Sequence, residues 1–517
     1  MISSRQLFKQ SSIQPQNRLI FGIVFLWGIV AATAFTLILA ESAFNDPLNK
    51  YYLLPWCLAT GIVVVGPSVY LIYKGEFNLL HPLVFAAWTF FFPGFFVGGL
   101  CLASGLTQPY FLAFIQDETF NLPLTFVYAM LGYLGLTAGY MIPHAWWIGQ
   151  KISQWLPKWE MSDEQVAKPS LVLLLIGIGV SVLAFRLGAF GYQRVLDANY
   201  YDGLIFLFSL FFYEASFLLS LYLFRCKRFG SQEILICFVL VATSLSRAVF
   251  QGNRSGLIPT LLLVIFAYIL SGRRITIKFY LSGAAVLFVT LIAGMIYGTT
   301  FRNLKQSEGR VGFDEYSEVV AQTFQRLSSQ NIETSLNTGL SAVADRIDAV
   351  SSLAVVVSNY ESLALYEDQM GISNNIVGDT LTFFIPRLIW RDKPVAIEPS
   401  KYADLYFNYQ ENSFIMTPMG DLLRNFGPIG VPLGMIFMGF ILRVLFSALV
   451  ENQGFSYWRY AVFYMIFSLI LYEGTYGLMI PNIFKIGVIA VFGIIIIRLL
   501  AGSALRPKFW PATSDHS

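Results

Sequence analysis

Residues 171–187 read LVLLLIGIGVSVLAFRL, an apolar run that would cross most of a lipid bilayer as a helix. Similar runs recur through the 517-residue chain, which is 56% hydrophobic and only 13% charged. So few charged residues would not cover the surface of a soluble globule of this size. The sequence also lacks the short alternating segments of a membrane barrel. It therefore predicts an all-α integral membrane protein.

The apolar runs predict about twelve transmembrane helices. Their positions are near 19–40, 53–73, 79–103, 122–144, 171–187, 204–224, 234–250, 255–271, 279–299, 428–449, 459–472 and 483–500. We expect the first run to be an uncleaved anchor rather than a secretory signal, because its polar lead, residues 1–18, is long. The chain then divides into nine helices within 1–299, a large polar loop over 300–427, and three helices with a tail within 428–517.

Lysine and arginine residues mark alternate short loops, and such loops face the cytoplasm in membrane proteins. The marked positions are Arg5, Lys9, Arg18, Lys151, Lys158, Lys168, Arg225, Lys227, Arg228, Arg273, Arg274, Lys278, Arg498, Arg506 and Lys508. Both termini are therefore predicted to be cytoplasmic. The 300–427 loop is predicted to lie on the opposite side of the membrane.

The 300–427 loop is long enough to form a structured unit outside the membrane, where binding or catalytic residues are expected. Apolar residues in it recur at spacings of three and four, which indicates one stripe along a helix. These residues are Leu336, Leu340, Val343, Ile347, Val350, Ala354 and Val357. We expect this helix to lie on or dock against the membrane part, with Arg346 at the flank of the stripe.

Cations gather on the predicted outer side of the membrane, where they would favour an anion such as a lipid phosphate or diphosphate. They are Arg254, Arg302, Arg346, Arg387, Arg391, Lys393 and Arg424. Three of them belong to the stretch IPRLIWRDKP at 385–394, whose two prolines stiffen the backbone. Ordinary binding of lipid headgroups is the alternative explanation for the same residues.

Other site chemistries find no support in the sequence. The four cysteines lie in or beside apolar runs, so neither a disulfide framework nor a metal cluster is predicted. No glycine-rich nucleotide loop is present, and His81, His144 and His516 all map to the predicted cytoplasmic side. A net charge of +3 does not indicate nucleic acid binding. We expect no cofactor and no metal, and we expect Glu473 to form a structural ion pair with Lys485.

Four segments of the chain resemble the Wzy family, the bacterial O-antigen and oligosaccharide repeat-unit polymerases. They are GNRSG at 252–256, the helix with Arg346, IPRLIWRDKP at 385–394, and the entry into a late span from Gly420 to Gly434. The third of these segments is the most specific, and the topology resembles the family over essentially the whole chain. The resemblance implies a GT-C-like polytopic architecture in the bacterial inner membrane.

The Wzy resemblance implies a membrane glycosyltransferase of surface polysaccharide biosynthesis, with O-antigen or exopolysaccharide as the product. Such an enzyme transfers an undecaprenyl-diphosphate-linked oligosaccharide onto another lipid-linked repeat unit at the periplasmic face of the membrane. The implied partners are this lipid-linked glycan, membrane lipids and a chain-length regulator protein.

The implied reaction builds negative charge on the departing diphosphate, and fixed guanidinium groups would stabilise that charge. We predict catalytic roles for Arg254, Arg302 and Arg346. Binding of the substrate diphosphate is predicted for Arg254, Arg346, Arg387, Arg391, Lys393 and Arg424. The carboxylates that would serve as a base for the acceptor hydroxyl are Asp348, Asp392 and Asp421.

Two other functions stay open. An O-antigen ligase, or another polyprenyl-linked glycosyltransferase, resembles this chain in topology, but the ligase family uses an outer-side histidine and none is predicted here. A flippase of the lipid-linked sugar would carry charged residues along a central cavity and short loops throughout. The single long loop of this chain favours the polymerase over the flippase.

Overall fold

The computed structural model describes residues 50–107, 110–188, 202–226, 228–252, 257–273, 277–305, 311–329, 339, 342–385, 389–390, 399–408, 416–451, 453–470 and 472–502. Regular structure in these residues is helical, without a strand. The first predicted span, near 19–40, lies outside them. The same holds for five predicted site residues: Arg254, Arg387, Arg391, Asp392 and Lys393.

Helices follow one another along nearly the whole described chain. They are α1 (Leu54–Lys74), α2 (Pro82–Ala103), α3 (Glu118–Met141), α4 (Pro143–Trp155), α5 (Asp163–Arg186), α6 (Asp202–Ser209), α7 (Phe211–Arg225), α8 (Ser231–Gln251), α9 (Ile258–Leu270), α10 (Ile277–Lys305), α11 (Phe313–Ser329), α12 (Val350–Gln369), α13 (Asn375–Thr382), α14 (Pro399–Phe407), α15 (Pro418–Leu449), α16 (Tyr457–Leu469) and α17 (Tyr476–Leu500). In the part of the chain that the structure describes, nine stretches are long and apolar enough to cross a membrane: α1, α2, α3, α5, α6 with α7, α8, α10, α15 and α17. The prediction of a multi-pass helical membrane protein is thereby confirmed for these residues.

Two predicted spans, near 255–271 and 459–472, correspond to the short helices α9 and α16, which have 13 residues each. At 1.5 Å per residue such a helix covers about 20 Å, less than the roughly 30 Å of a hydrocarbon core. Helix α16 lies in the core of the bundle, with its residues from Tyr457 to Phe467 buried. The number of twelve spans stays a prediction.

The middle of α2 is wound as a π-helix from Ala87 to Val97, with Pro93 inside it. Proline lacks the N–H that an α-helix needs and crowds the preceding turn, so it commonly perturbs the regular ladder. The wider turns expose Gly94 and, just beyond them, Gly98 toward a segment of the large loop. This altered part of α2 becomes one wall of the candidate site.

Helices α3 and α15 pack closely against each other. A Cβ added at Gly139 of α3 would strike the carbonyl oxygen of Ile436, and one at Gly135 would lie 2.7 Å from the carbonyl oxygen of Pro432. Small residues at helix spacing let two backbones approach in this way. Since both contacts advance in the same direction, α3 and α15 run parallel.

Helix α15 begins at Pro418, earlier than the predicted start at 428, and it is kinked at Gly427. Gly427 has φ 70° and ψ −169°, a backbone conformation that an L-residue with a side chain rarely adopts. Because of this kink, the segment before it folds back and Leu422 packs on Gly434. The first residues of α15 therefore belong to the loop region rather than to a straight transmembrane helix.

The loops gather at two ends of the bundle. One end, which we call the loop end, holds the start of α3 together with α12 and α14. There the Gln116 amide donates to Asn359 at 3.0 Å and the Tyr110 hydroxyl donates to the Phe407 carbonyl at 2.9 Å. The opposite end, which we call the basic end, carries the loops rich in lysine and arginine. There Asp163 accepts hydrogen bonds from Arg225 and Tyr457. This sorting agrees with the alternation of the loops in the sequence. The cytoplasmic location of the basic end stays a prediction.

Candidate functional site

The loop segment around Asp348 enters the bundle as a tight turn. The Ala349 N–H donates to the Gly94 carbonyl oxygen at 3.2 Å, and a Cβ on Gly98 would lie 2.9 Å from the Asp348 Cα. Gly98 lies five residues before Ala103, the last residue of α2, which is about 8 Å along the helix axis. Asp348 and Ala349 therefore form a re-entrant tip below the loop end of the bundle.

The re-entrant tip interrupts the single helix that the apolar stripe predicts. Residues 342–347 are helical and α12 starts at Val350, with Asp348 and Ala349 outside both helices. The Asp348 Oδ1 accepts from the N–H groups of Val350 at 2.9 Å and Ser351 at 3.1 Å, and Oδ2 accepts from the Ser351 hydroxyl. These are the bonds of a helix N-cap, which ends one helix and begins the next.

Asp348 is buried, with 5% of its surface exposed, and burial raises the pKa of its carboxyl to about 6. Both carboxylate oxygens are taken up by the cap of α12. Asp348, predicted as a candidate base, therefore has an evident role in shaping the tip.

The residues before the tip are fixed by a second contact, with α10. Val343 packs against Ile292 and Met295, and a Cβ on Gly339 would lie 2.7 Å from the Ile296 side chain. The descending segment is thus held between α10 on one side and α2 on the other. Its position is set by packing on two membrane helices.

Arg346 lies two residues before the tip and pairs with Glu473, in the turn between α16 and α17. The Nη2 to Oε2 distance is 2.5 Å, and the two side chains are 51% and 47% exposed. The expected pair of Glu473 with Lys485 is wrong, because Lys485 lies inside α17, more than two turns beyond its first residue. The Glu473 carboxylate instead meets a predicted site residue.

About half of each side chain of Arg346 and Glu473 is exposed, and a charged group is stable there only in contact with water. Charged groups and irregular backbone at membrane depth are stable where they are enclosed in protein or line a water-filled cavity. The re-entrant tip beside Arg346 is irregular backbone of this kind. We infer that the Arg346–Glu473 pair lines an aqueous cleft that opens at the loop end.

Arg424 has a contrasting environment, an enclosed polar network. Its guanidinium donates to Glu367 at 2.9 Å, to Asp421 at 3.0 and 3.2 Å, to the Ile372 carbonyl at 2.9 Å and to the Asn375 side chain. The side chains of Arg424 and Asp421 are 0% exposed and that of Glu367 is 4% exposed. A guanidinium has five N–H donors, so this set of acceptors saturates it.

The same network ties five parts of the chain together. Tyr402 of α14 lies under the guanidinium at 4.3 Å, and Tyr406 donates to Glu367 at 2.6 Å. The N–H of Gly477, at the start of α17, donates to Asp421 at 2.9 Å. Burial raises the pKa of the Glu367 carboxyl, and the Arg424 charge opposes this shift. The network thereby joins α12, the segment 372–375, α14, α15 and α17.

Arg302 lies in the last turn of α10, where the chain that leaves α8 comes close. Gly252 has φ 62°, and a Cβ on it would lie 2.6 Å from the Phe301 ring and 2.9 Å from the Tyr316 hydroxyl oxygen. The Tyr316 hydroxyl donates to the Phe250 carbonyl at 2.7 Å. The end of α8, which leads to Arg254, is therefore anchored next to Arg302.

The predicted residues thus fall into separate environments at the loop end. Arg346 lies two residues before the re-entrant tip, Arg302 lies beside the end of α8, and Arg424 is enclosed with Asp421. Comparison of the chain with family models, curated proteins and solved structures gives no match. The function of the site is therefore inferred from the geometry of these residues.

Glu367, Asn375 and Tyr402 were not among the predicted site residues, although they contact Arg424. They come from three separate helices, and no local spacing connects them to the start of α15. The signal that would have found Glu367 is its place on α12, since a carboxylate on a helix that packs inside a bundle needs a charged or polar partner.

Proposed function

We propose that this chain polymerises lipid-linked oligosaccharide repeat units at the periplasmic face of the bacterial inner membrane. In this proposal the termini are cytoplasmic, twelve helices cross the membrane and the 300–427 loop is periplasmic. The donor is an undecaprenyl-diphosphate-linked glycan, and the acceptor is a second lipid-linked repeat unit. No cofactor is required, because the energy of transfer is stored in the diphosphate ester of the donor.

The observation that carries the proposal is the half-exposed Arg346 beside a buried re-entrant tip. A lipid-linked donor presents its diphosphate at the membrane boundary, and its sugar extends into water. The segment that carries Arg346 is held by packing against α2 and α10. A guanidinium at this level is suited to meet the charge that develops on the leaving diphosphate. Loss of one such fixed donor typically lowers the rate about 100-fold.

Other cations complete the anion site in this proposal. Arg302 lies at the anchored junction of α8 and α10, and Arg254 follows α8 by three residues in the sequence. Arg387, Arg391 and Lys393 contribute from the proline-bounded segment of the loop. Arg424 acts differently, since protein acceptors already engage its five donors. Its role is to organise the loop end rather than to bind the diphosphate. Membrane lipids and a chain-length regulator are the further partners that we propose.

The test is deletion of the gene in its host, followed by gel analysis of the surface glycan. We expect long chains to disappear while a single capped repeat unit remains. Complementation with the wild-type gene should restore long chains, and complementation with Arg346→Ala should leave the short product. Arg326→Ala is the matched control, because Arg326 is an exposed arginine of the same loop, on α11.

Unchanged chain length in the deletion host would overturn the polymerase proposal. Complete loss of surface glycan would also overturn it and would indicate flipping or ligation. Full activity of Arg346→Ala, with wild-type levels of inserted protein, would remove Arg346 from the site. Loss of activity in Arg326→Ala would show that the assay responds to any change of charge in the loop.

A further inference from the structure

Glu473 is a carboxylate at the loop end that stays accessible. In the described residues, Asp348 is committed to the cap of α12, and Glu367 and Asp421 are enclosed with Arg424. Glu473 is 47% exposed and meets Arg346 through one of its two oxygens, Oε2. A carboxylate that accepts a proton from a substrate must reach that substrate.

The turn that carries Glu473 is held on both sides. Tyr472 before it is 3% exposed and Thr475 after it is 7% exposed. The Gly477 N–H then bonds to Asp421 of the enclosed network at 2.9 Å. Glu473 is therefore an exposed side chain on an anchored backbone, which is the arrangement that a catalytic group needs.

We propose that Glu473 is the catalytic base of the transfer, an inference that rests on the proposed function. The hydroxyl oxygen of the acceptor sugar attacks the anomeric carbon of the donor sugar and forms the new glycosidic bond. The bond from that carbon to the diphosphate oxygen breaks, and its electron pair leaves with the polyprenyl diphosphate. The hydroxyl proton passes to the Glu473 carboxylate.

The contact between Glu473 and Arg346 gives this step its geometry. The Arg346 guanidinium touches the base through Nη2, and its side chain is 51% exposed, which leaves room for a leaving diphosphate. The base for the attacking hydroxyl and the cation for the departing diphosphate would thereby lie within reach of one anomeric carbon. Positioning of this kind contributes a large part of enzymatic rate enhancement.

The experiment compares Glu473→Gln, Glu473→Asp and the wild type. Purified protein in detergent is mixed with membranes of the deletion host, which hold the host's own unextended lipid-linked repeat unit. Chain extension is followed against pH, and binding of undecaprenyl diphosphate is measured in nanodiscs of phosphatidylethanolamine and phosphatidylglycerol. Glu361→Gln is the matched control, because Glu361 is an exposed glutamate of α12 at the same end.

We expect Glu473→Gln to lower kcat about 100-fold or more and to change the Kd of undecaprenyl diphosphate less than about threefold. A carboxylate base predicts that the wild-type rate falls on the acid side, and the residual activity of Glu473→Gln should not show that fall. Glu473→Asp keeps the carboxylate one methylene further back, and we expect it to recover part of kcat together with the acid limb. Glu361→Gln should match the wild type.

Three results would overturn the assignment of Glu473. Activity of Glu473→Gln within about threefold of wild type would exclude a base, while leaving the polymerase proposal intact. Loss of diphosphate binding with an unchanged acid limb would make Glu473 a positioning partner of Arg346. If Glu473→Gln does not fold, Glu473→Ala takes its place, and activity of this folded variant within about threefold of wild type decides against the base. Absence of chain extension by the wild type would instead refute the proposed function.

Discussion

Among the residues that the structure describes, two arginine–carboxylate groups at the loop end differ in burial and in purpose. Arg424, Asp421 and Glu367 are enclosed, whereas Arg346 and Glu473 are about half exposed. In the sequence both arginines are cations of the same loop region. The difference teaches that an arginine near a membrane surface acquires its role from the acceptors that surround it. Arg424 has all of its acceptors within the protein, and Arg346 has a side left for a ligand.

Because they differ in burial, the two groups also differ in their contribution to the free energy of unfolding. Removal of one partner from an enclosed pair leaves an uncompensated charge, which is costly. A half-exposed pair is screened by water and contributes little to stability. Stability measurements should therefore respond to the Arg424 network, and measurements of chain extension should respond to the Arg346–Glu473 pair.

Arg424→Ala should have the largest effect on stability. The substitution leaves Asp421 and Glu367 buried without their cation, and we expect a loss of about 3–5 kcal/mol in the free energy of unfolding. Thermal and denaturant unfolding of the purified protein in detergent would measure this loss. Arg326→Ala, on the exposed face of α11, is the control and should change stability by less than about 0.5 kcal/mol. A loss below about 1 kcal/mol for Arg424→Ala would erase the contrast between the two groups.

Gly98→Ala should have a smaller effect on stability and a clear effect on activity. The new methyl group would lie 2.9 Å from the Asp348 Cα and 3.0 Å from the Ile347 carbonyl oxygen, so the re-entrant tip must move. We expect a cost of about 1–2 kcal/mol and a roughly tenfold loss of chain extension, since displacement of a site by a fraction of an ångström is expensive in rate. Gly179→Ala in α5 is the control, because an added Cβ there meets no atoms of other parts of the protein within 4 Å. Equal activity of the two alanine variants would contradict the role of the re-entrant tip in positioning Arg346.

The exposed pair should show the smallest coupling. A double-mutant cycle of Arg346→Ala and Glu473→Ala, read out as unfolding free energy, should give about 0.2–1 kcal/mol. The single and double variants are measured in the same detergent at two salt concentrations, and the coupling should fall at high salt. A coupling above about 2 kcal/mol would mean that the cleft excludes water, which contradicts the inferred aqueous site.

The fold was predictable to the extent that lipid imposes it. Apolar runs such as 171–187 predict helices, because inside a bilayer every backbone polar group must find its hydrogen-bond partner within the segment. The kink at Gly427 and the π-helical turns around Pro93 were not predicted in their form, although glycine and proline mark both places. Their consequences, a folded-back start of α15 and an opened wall in α2, depend on contacts with distant segments.

The site was predictable in its residue types but not in its partners. The stripe that includes Val343 and Val350 identified a helix that docks, but periodicity alone did not reveal the break at Asp348, because that residue also fits a helix surface. Arg346 emerged as a flank residue and the structure pairs it with Glu473, 127 positions away in the chain. Pairing at such a distance leaves no trace in local spacing, so a single sequence indicates the cation and not its carboxylate.

The glycine face that α3 offers to α15 has a consequence for biosynthesis. Helix α3 is synthesised early, yet the backbone that fills its groove at Gly135 and Gly139 belongs to a helix made near the end of translation. Until then, lipid or an insertion factor must cover the groove. Contacts between segments so distant in sequence form late. We therefore expect α15 to pack onto α3 only after the ribosome has released most of the polypeptide. That packing step would then fix the positions of the loop helices.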